Sequence, residues 1–229
     1  MSNLLRRTGL CSSALVLALS LAACGGGDDS EPETKADEVT VLTEDEATAA
    51  LLTIDDVGEG FTESGPSEEE DDSDLGCLSG INVLSDVENE TEVENNFDQE
   101  SDTALRSVLT GVNSYVDTAT IEDAFADFRT SLEGCETVDV TEESGLNINL
   151  AVTVEDEPGL GEADDQIRLD GTGSIANQGQ TYSYDLTFVA SRIGNNLTVV
   201  GLIDVGAKGE DVIETLTETA VGNLADAIG

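Results

Sequence analysis

Between residues 146 and 203, apolar and polar side chains alternate in several successive runs. Alternation with a period of two residues is typical of a β-strand that buries one face. The apolar members form four runs, which are Leu146, Ile148, Leu150, Val152 and Val154; Ile167, Leu169 and Ile175; Tyr182, Tyr184, Leu186 and Phe188; and Leu197, Val199 and Ile203. Asn177-Gln178-Gly179 predicts a turn between two of the runs. This half of the chain therefore predicts a β-meander.

Two earlier segments add strands to the same sheet. Val93, Asn95 and Phe97 indicate a short strand, and residues 105–112 indicate another. Gly171 and Gly173 interrupt the second run of the meander. Glycines at such positions either permit a bend or leave room for something packed close to the sheet.

Three segments carry helix signals, and the last of these helices would cover such a sheet. Thr43 and Glu46 form a capping box at the start of the first helix. Thr120 is expected to cap the second helix, whose face carries Phe125, Phe128 and Leu132 and which ends at Gly134. The apolar stripe of the last helix is Ile213, Leu216, Ala220, Leu224 and Ile228. We therefore expect an α+β fold, with an antiparallel sheet of about five to seven strands backed by helices, in one domain over residues 43–229.

Residues 1–23 have the layout of a bacterial lipoprotein signal peptide. Arg6 and Arg7 form a positive start, and the apolar stretch that follows is too short for a comfortable membrane span. Cys24 comes directly after Leu21-Ala22-Ala23 and is expected to carry the lipid, which would anchor the chain at the extracytoplasmic face of the cell membrane. An ordinary secretory signal with an incidental Cys24 is the alternative. Export by the Sec or the twin-arginine route is left open.

Residues 24–42 are predicted to form a disordered acidic tether. They consist mainly of Gly, Asp, Glu, Ser and Pro, with few large apolar side chains, and such a segment cannot support a core.

Cysteine usage fits an exported protein. Cys11 leaves with the signal peptide and Cys24 takes the lipid, so Cys77 and Cys135 remain and are most simply a disulfide. The bridge would stabilise the domain by about 4 kcal/mol in the chain-entropy model. Two buried free thiols are the alternative, and a metal site is disfavoured because the chain has no histidine.

The charge is strongly acidic. Removal of the leader leaves six Lys and Arg against 50 Asp and Glu, a net charge of about −44. Nucleic acid and anionic lipid headgroups are poor partners for such a surface. Solubility in a salty exterior is the preferred interpretation, ahead of a specific role in binding cations.

The acidic loop over residues 63–76 invites comparison with calcium sites. It contains Glu68-Glu69-Glu70-Asp71-Asp72 and Asp74. A calcium loop that started at Asp71 would place Leu75 at its fifth position, which should be a ligand, so the template fails. A solvated acidic loop is the preferred interpretation, and no metal is expected.

The residue inventory argues against catalysis. Without histidine, Ser-His-Asp and Cys-His arrangements are excluded. Gly171-Thr172-Gly173 lacks the third glycine of a phosphate-binding loop. A carboxylate pair could act on glycosides, but among 50 carboxylates a chance pair carries no information. We expect neither an enzyme nor a cofactor.

The segment Ala50-Leu51-Leu52-Thr53-Ile54-Asp55-Asp56-Val57-Gly58-Glu59-Gly60-Phe61-Thr62 resembles the start of actinobacterial exported lipoproteins. The Phe125 helix ending in Gly134-Cys135, and the strand pair around residues 191–200, fit the same pattern. Together they resemble the extracellular sensor domain of PknH-type kinases. The resemblance implies an antiparallel sheet with helices around a cleft thought to bind an unknown ligand, and it supplies no catalytic residues. This chain has one candidate disulfide where that domain has two, and no kinase segment, so signalling would need a partner.

A ligand-binding or sensory domain is the leading hypothesis, with a small molecule, a lipid or a cell-wall fragment as its ligand. Tyr182, Tyr184 and Phe188 are the candidate lining of the cleft, although for any single one of them a place in the core under the helices is the preferred interpretation. A carrier of lipid or lipoglycan with a large apolar cavity is one alternative. A passive acidic envelope protein that has only protein partners is the other.

Overall fold

The protein is described by a computed structural model over residues 39–66, 77–78, 84, 87–141, 146–156, 158–177 and 179–229. The predicted signal peptide, Cys24, the tether up to residue 38 and residues 67–76 of the acidic loop lie outside the described residues.

One antiparallel sheet dominates the described residues. Its strands are β1 (Thr62–Glu63), β2 (Thr91–Glu100), β3 (Leu105–Ser114), β4 (Thr137–Thr141), β5 (Asn147–Asp156), β6 (Asp165–Asn177), β7 (Gln180–Ile193) and β8 (Asn196–Val205). They are hydrogen-bonded in the order β1-β2-β3-β8-β7-β6-β5-β4. The meander prediction is confirmed, because β5 to β8 pair consecutively. Strand β8 also pairs with β3, which brings the two halves of the chain together.

The sheet has eight strands, which corrects the expected five to seven. The extra strands, β1 and β4, are the two edges. Strand β1 has only two residues, and β4 carries only Val138 and Val140 as apolar residues. Neither is long enough to show an alternating pattern in the sequence.

Helices flank this sheet and complete the predicted α+β class. They are α1 (Glu44–Ala50), the single turn α2 (Ile54–Val57), α3 (Thr118–Leu132) and α4 (Ile213–Ile228). Within the described ranges, none of the helices combines the length and the apolar character needed to span a membrane.

Different helices cover the two faces of the sheet. Helix α3 packs through Phe125 and Phe128 on the face that carries Leu150 and Leu169, which we call the α3 face. The opposite face, the α4 face, carries side chains that pack with Ile213, Leu216 and Ala220 of α4; they are Phe97, Val108, Val189, Val200 and Leu202. The core therefore lies in two layers, one on each side of the sheet.

The helix caps agree with the sequence at one helix and differ at the other. The capping box of α1 is confirmed, with the Thr43 N–H donating to Glu46 Oε2 at 2.8 Å. At α3 the expected cap Thr120 is wrong, because the N-cap is Asp117, whose carboxylate accepts a hydrogen bond from the Thr120 N–H at 2.8 Å. This bond lowers the pKa of Asp117. A carboxylate one turn earlier satisfies a free N–H of the helix start better than Thr120 can.

The disulfide between Cys77 and Cys135 is present, with an S–S distance of 2.05 Å. It attaches the chain just after α3 to Cys77. Gly134, which follows α3 with a φ of +76°, ends the helix as predicted.

The end of the predicted tether is held on the domain. The Thr40 N–H donates to Asn195 Oδ1 at 2.9 Å, and Leu42, only 1% exposed, donates its N–H to Ser114 Oγ at 3.0 Å. The contacts of the domain therefore include Thr40, which precedes residue 43, where the sequence places its start.

Gly173 of β6 lies directly against the backbone of β5. A Cβ at this position would lie 1.9 Å from the carbonyl oxygen of Asn149. The neighbour that requires a glycine here is therefore the backbone of the sheet itself.

Candidate ligand groove

A groove of about 130 Å³ opens on the α3 face, on the β2, β3 and β8 side of helix α3. Its floor and walls are apolar and come from β3, β7 and β8; they are Leu109, Gly111, Phe188, Leu197 and Val199. Leu84 contributes to its lining as well.

The register of the sheet explains why there is free space above this floor. Gly111 of β3 lies directly opposite Val199, and Leu109 lies opposite Gly201. A Cβ added to Gly111 would meet only the Val93 carbonyl oxygen, at 3.8 Å. A glycine in mid-strand thus leaves space above the sheet that a larger side chain would occupy.

The rim of the groove on the β2 side is acidic. Glu92 and Glu94 line it together with Asn113. Glu92 lies opposite Asn113 and Glu94 lies opposite Gly111, so both carboxylates belong to the same face as the floor. Glu92 also accepts a hydrogen bond from Asn89 Nδ2 at 3.1 Å.

A second depression of about 350 Å³ adjoins the groove, because Leu109 lines both. Its remaining lining includes Gly65, Asn96, Asp98, Ser107 and Ile203. The Ser107 hydroxyl donates to Asp98 Oδ1 at 2.6 Å, so polar groups at its floor satisfy one another.

The structure places the three predicted cleft residues differently from one another. Phe188 lines the groove and also packs edge-to-face on Phe128, with ring centroids 6.4 Å apart. Tyr184 packs against the core under α3, and burial raises the pKa of its phenol. Tyr182 is 39% exposed and lines another depression, of about 280 Å³, beside the β2–β3 turn. The three side chains therefore do not share one cleft.

Glu92, Glu94, Leu109 and Gly111 are groove residues that the sequence did not identify. Val93 and Phe97 had indicated strand β2, so Glu92 and Glu94 could have been assigned to its other face. What the sequence could not show is that this face meets Val199, because that depends on the pairing of β3 with β8.

The cations of the described residues are engaged away from the groove. Each of them contacts a carboxylate in an ion pair; they are Arg106, Arg129, Arg168, Arg192 and Lys208.

In the part of the chain that the structure describes, no three carboxylates or cysteines converge in a way that could hold a metal ion. Chemically, the groove offers an apolar surface with carboxylates on one side. Such a surface suits reversible binding of a small molecule with an apolar body.

The fold is similar to a solved structure, that of the extracellular domain of PknH from Mycobacterium tuberculosis. The TM-score is 0.61 at 14% sequence identity, and the match covers 82% of this chain and 98% of that domain. No model of a protein family matches the sequence, and no curated protein does. The chain thus has the fold of a PknH-type extracellular sensor domain, which confirms at the level of the fold the resemblance seen in the sequence.

Proposed function

We propose that the protein is a lipid-anchored extracytoplasmic lipoprotein whose domain binds a small ligand in the groove and acts as a sensor without catalysing a reaction. The groove beside α3 carries this proposal, because it joins an apolar floor to an acidic rim on a sensor-type fold. A partner protein would pass the signal on.

The size of the groove favours a compact ligand. A dry apolar cavity of about 150 Å³ can hold a benzene molecule. The groove, at about 130 Å³, therefore suits one ring-sized or short branched apolar group. This volume supports the sensory hypothesis over the lipid carrier, since an acyl chain needs a longer apolar space.

The rim selects among such ligands by charge. Carboxylates at Glu92 and Glu94 favour a neutral or cationic substituent and repel an anionic one. The acidic protein as a whole, with a net charge of −42, acts in the same direction.

A groove-filling variant tests the site. Gly111→Leu would place a side chain over the floor with no backbone clash at its Cβ. We expect phenethylamine or benzyl alcohol to shift the amide NMR signals of Gly111 and Val199 in the full chain carrying Cys24→Ser, and Gly111→Leu to weaken this binding at least tenfold.

The control is Gly222→Leu, the same substitution on an exposed position of α4 where an added Cβ meets nothing within 4 Å. It should bind the probes like the parent protein. Equal binding by Gly111→Leu, or no response at the groove amides, would contradict the proposal.

The anchor has a separate test. Cys24→Ser removes the sulfur that would carry the lipid, so we expect the protein to move from the membrane fraction to the soluble extracytoplasmic fraction of its host. Unchanged membrane association of the variant would rule out lipid anchoring at Cys24.

A further inference from the structure

A further cavity, of about 420 Å³, lies at one end of the sheet. Its lining comes from the loop after α2, from β2 and β3 with the turn between them, and from β8 with the segment that follows it. The residues used below are Gly60, Gln99, Arg106, Asp204 and Gly209. Its floor belongs to the α4 face, so it is distinct from the groove.

Three side chains on adjacent strands form this floor. Gln99 of β2 lies opposite Arg106 of β3, which lies opposite Asp204 of β8. The Arg106 and Asp204 side chains are only 12% and 5% exposed. A buried cation and a buried anion thus stand side by side at the cavity.

The pair is close but not hydrogen-bonded. Arg106 Nε and Asp204 Oδ1 are 3.6 Å apart, and neither atom has a hydrogen-bond partner among the described residues. By contrast, Arg168 Nε donates directly to Asp170 Oδ2 at 2.8 Å. Both atoms are closed off from solvent and face each other, while the two side chains that carry them line the cavity.

Two glycines let the guanidinium and the amide lie against the chain, where Arg106 Nη2 donates to the Glu210 carbonyl and Gln99 Nε2 donates to the Glu59 carbonyl at 3.2 Å. A Cβ at Gly209 would lie 1.9 Å from Arg106 Nη1. A Cβ at Gly60, whose φ is +91°, would lie 2.5 Å from Gln99 Nε2. Larger residues at these positions would displace the polar groups that line the cavity.

The neighbouring opposite charges restrict the ligand. An anion on Arg106 alone would stand beside the Asp204 carboxylate, and a cation on Asp204 alone would stand beside the guanidinium. A zwitterion matches both, with its carboxylate on Arg106 and its ammonium on Asp204. The net charge of −42 further disfavours a simple anion.

We infer that this cavity is a binding site for a small zwitterion of the α-amino acid class. Arg106 and Asp204 hold its two charged groups, and Gln99 supplies an amide at the edge of the site. The site is independent of the proposed groove ligand.

The test compares each amino acid with two molecules that have the same side chain, one with only the amine and one with only the carboxylate. The free α-amino acids are added one at a time to the full chain carrying Cys24→Ser, and the melting temperature and the heat of binding are measured. We expect at least one amino acid to bind and raise the melting temperature. The amine and the carboxylic acid with the same side chain, such as ethylamine and propionate for alanine, should bind at least tenfold more weakly.

Variants then locate the site. Asp204→Asn keeps the shape and removes the charge, and Gly209→Ala crowds the guanidinium, so each should weaken binding at least tenfold. Arg129→Gln, which breaks an ion pair elsewhere, and Gly111→Leu should both leave it unchanged. The inference is overturned if no amino acid binds better than the matching amine and the matching carboxylic acid. It is also overturned if a folded Asp204→Asn or Gly209→Ala binds like the parent; if neither variant folds, the comparison with the matching amine and carboxylic acid decides.

Discussion

Helix α3 divides one face of the sheet into two regions that are built from the same kind of strand. Over β5 and β6, Leu150 and Leu169 are buried beneath Phe125 and Phe128. Over β3 and β8, on the same face, Leu109 and Val199 are only half-buried and line the groove.

The difference lies in the cover more than in the strands. The covered region has a helix with two phenylalanines above it and a disulfide at the end of that helix. The groove region has no such cover and has carboxylates on β2, whereas mid-strand glycines occur in both regions, as Gly111 and Gly201 in one and Gly171 and Gly173 in the other. One region therefore contributes stability, and the other contributes the surface on which we propose that a ligand binds.

The largest expected effect is at the centre of the covered region. Phe128→Ala should lower the free energy of unfolding by about 3–5 kcal/mol, because it removes a fully buried ring that packs on Phe188. Leu109→Ala, in the groove, should cost only about 1 kcal/mol. Urea denaturation of both variants checks this, and equal losses would mean that the two regions are not different in packing.

Removal of the disulfide should cause the second largest loss of stability. The double variant Cys77→Ser with Cys135→Ser should lose about 2–4 kcal/mol of stability, because the unfolded chain regains the entropy of an open loop. Urea denaturation of the parent with and without a reductant provides the matched comparison. A parent protein that is equally stable in both conditions would show that the bridge adds nothing to the covered region.

The smallest expected effect is the dependence of stability on the ionisation of Tyr115. This residue belongs to the core of the covered region and is hydrogen-bonded to a residue of the groove. Its hydroxyl donates to the carbonyl of Leu84, a groove residue, at 3.2 Å, and burial raises its pKa to about 12. An unfolded tyrosine ionises near pH 10. The unfolded state therefore loses its proton first, and stability should fall between pH 10 and pH 12 by at most about 2.5 kcal/mol.

Tyr115→Phe isolates this contribution. The variant lacks the titrating group, so its stability should decline less steeply than that of the parent over this pH range. Parallel curves for the two proteins would show that Tyr115 does not titrate differently in the folded and unfolded states.

Much of the fold could be predicted because its long elements repeat a simple pattern. The alternation from Leu146 to Ile203 specified β5 to β8, and the stripe from Ile213 to Leu224 specified α4. Strand β4 was missed because Val138 and Val140 are too few to form a pattern.

The groove could not be predicted in the same way. It depends on the pairing of β3 with β8, between residues that are far apart in the sequence. The predicted cleft residues shared one face of one strand, but at about 3.3 Å per residue Tyr182 and Phe188 are roughly 20 Å apart along it. They therefore open into different depressions.

The accessibility of the groove to molecules from solution can be measured directly with thiol labelling. Gly111→Cys places a thiol on the groove floor, and Ala190→Cys places one in the covered core, where residue 190 is fully buried. We expect maleimide to react with the Gly111→Cys protein at least 100-fold faster than with the Ala190→Cys protein under native conditions. Equal and slow labelling of both proteins would show that the groove is closed, and would contradict the proposal that it binds a ligand.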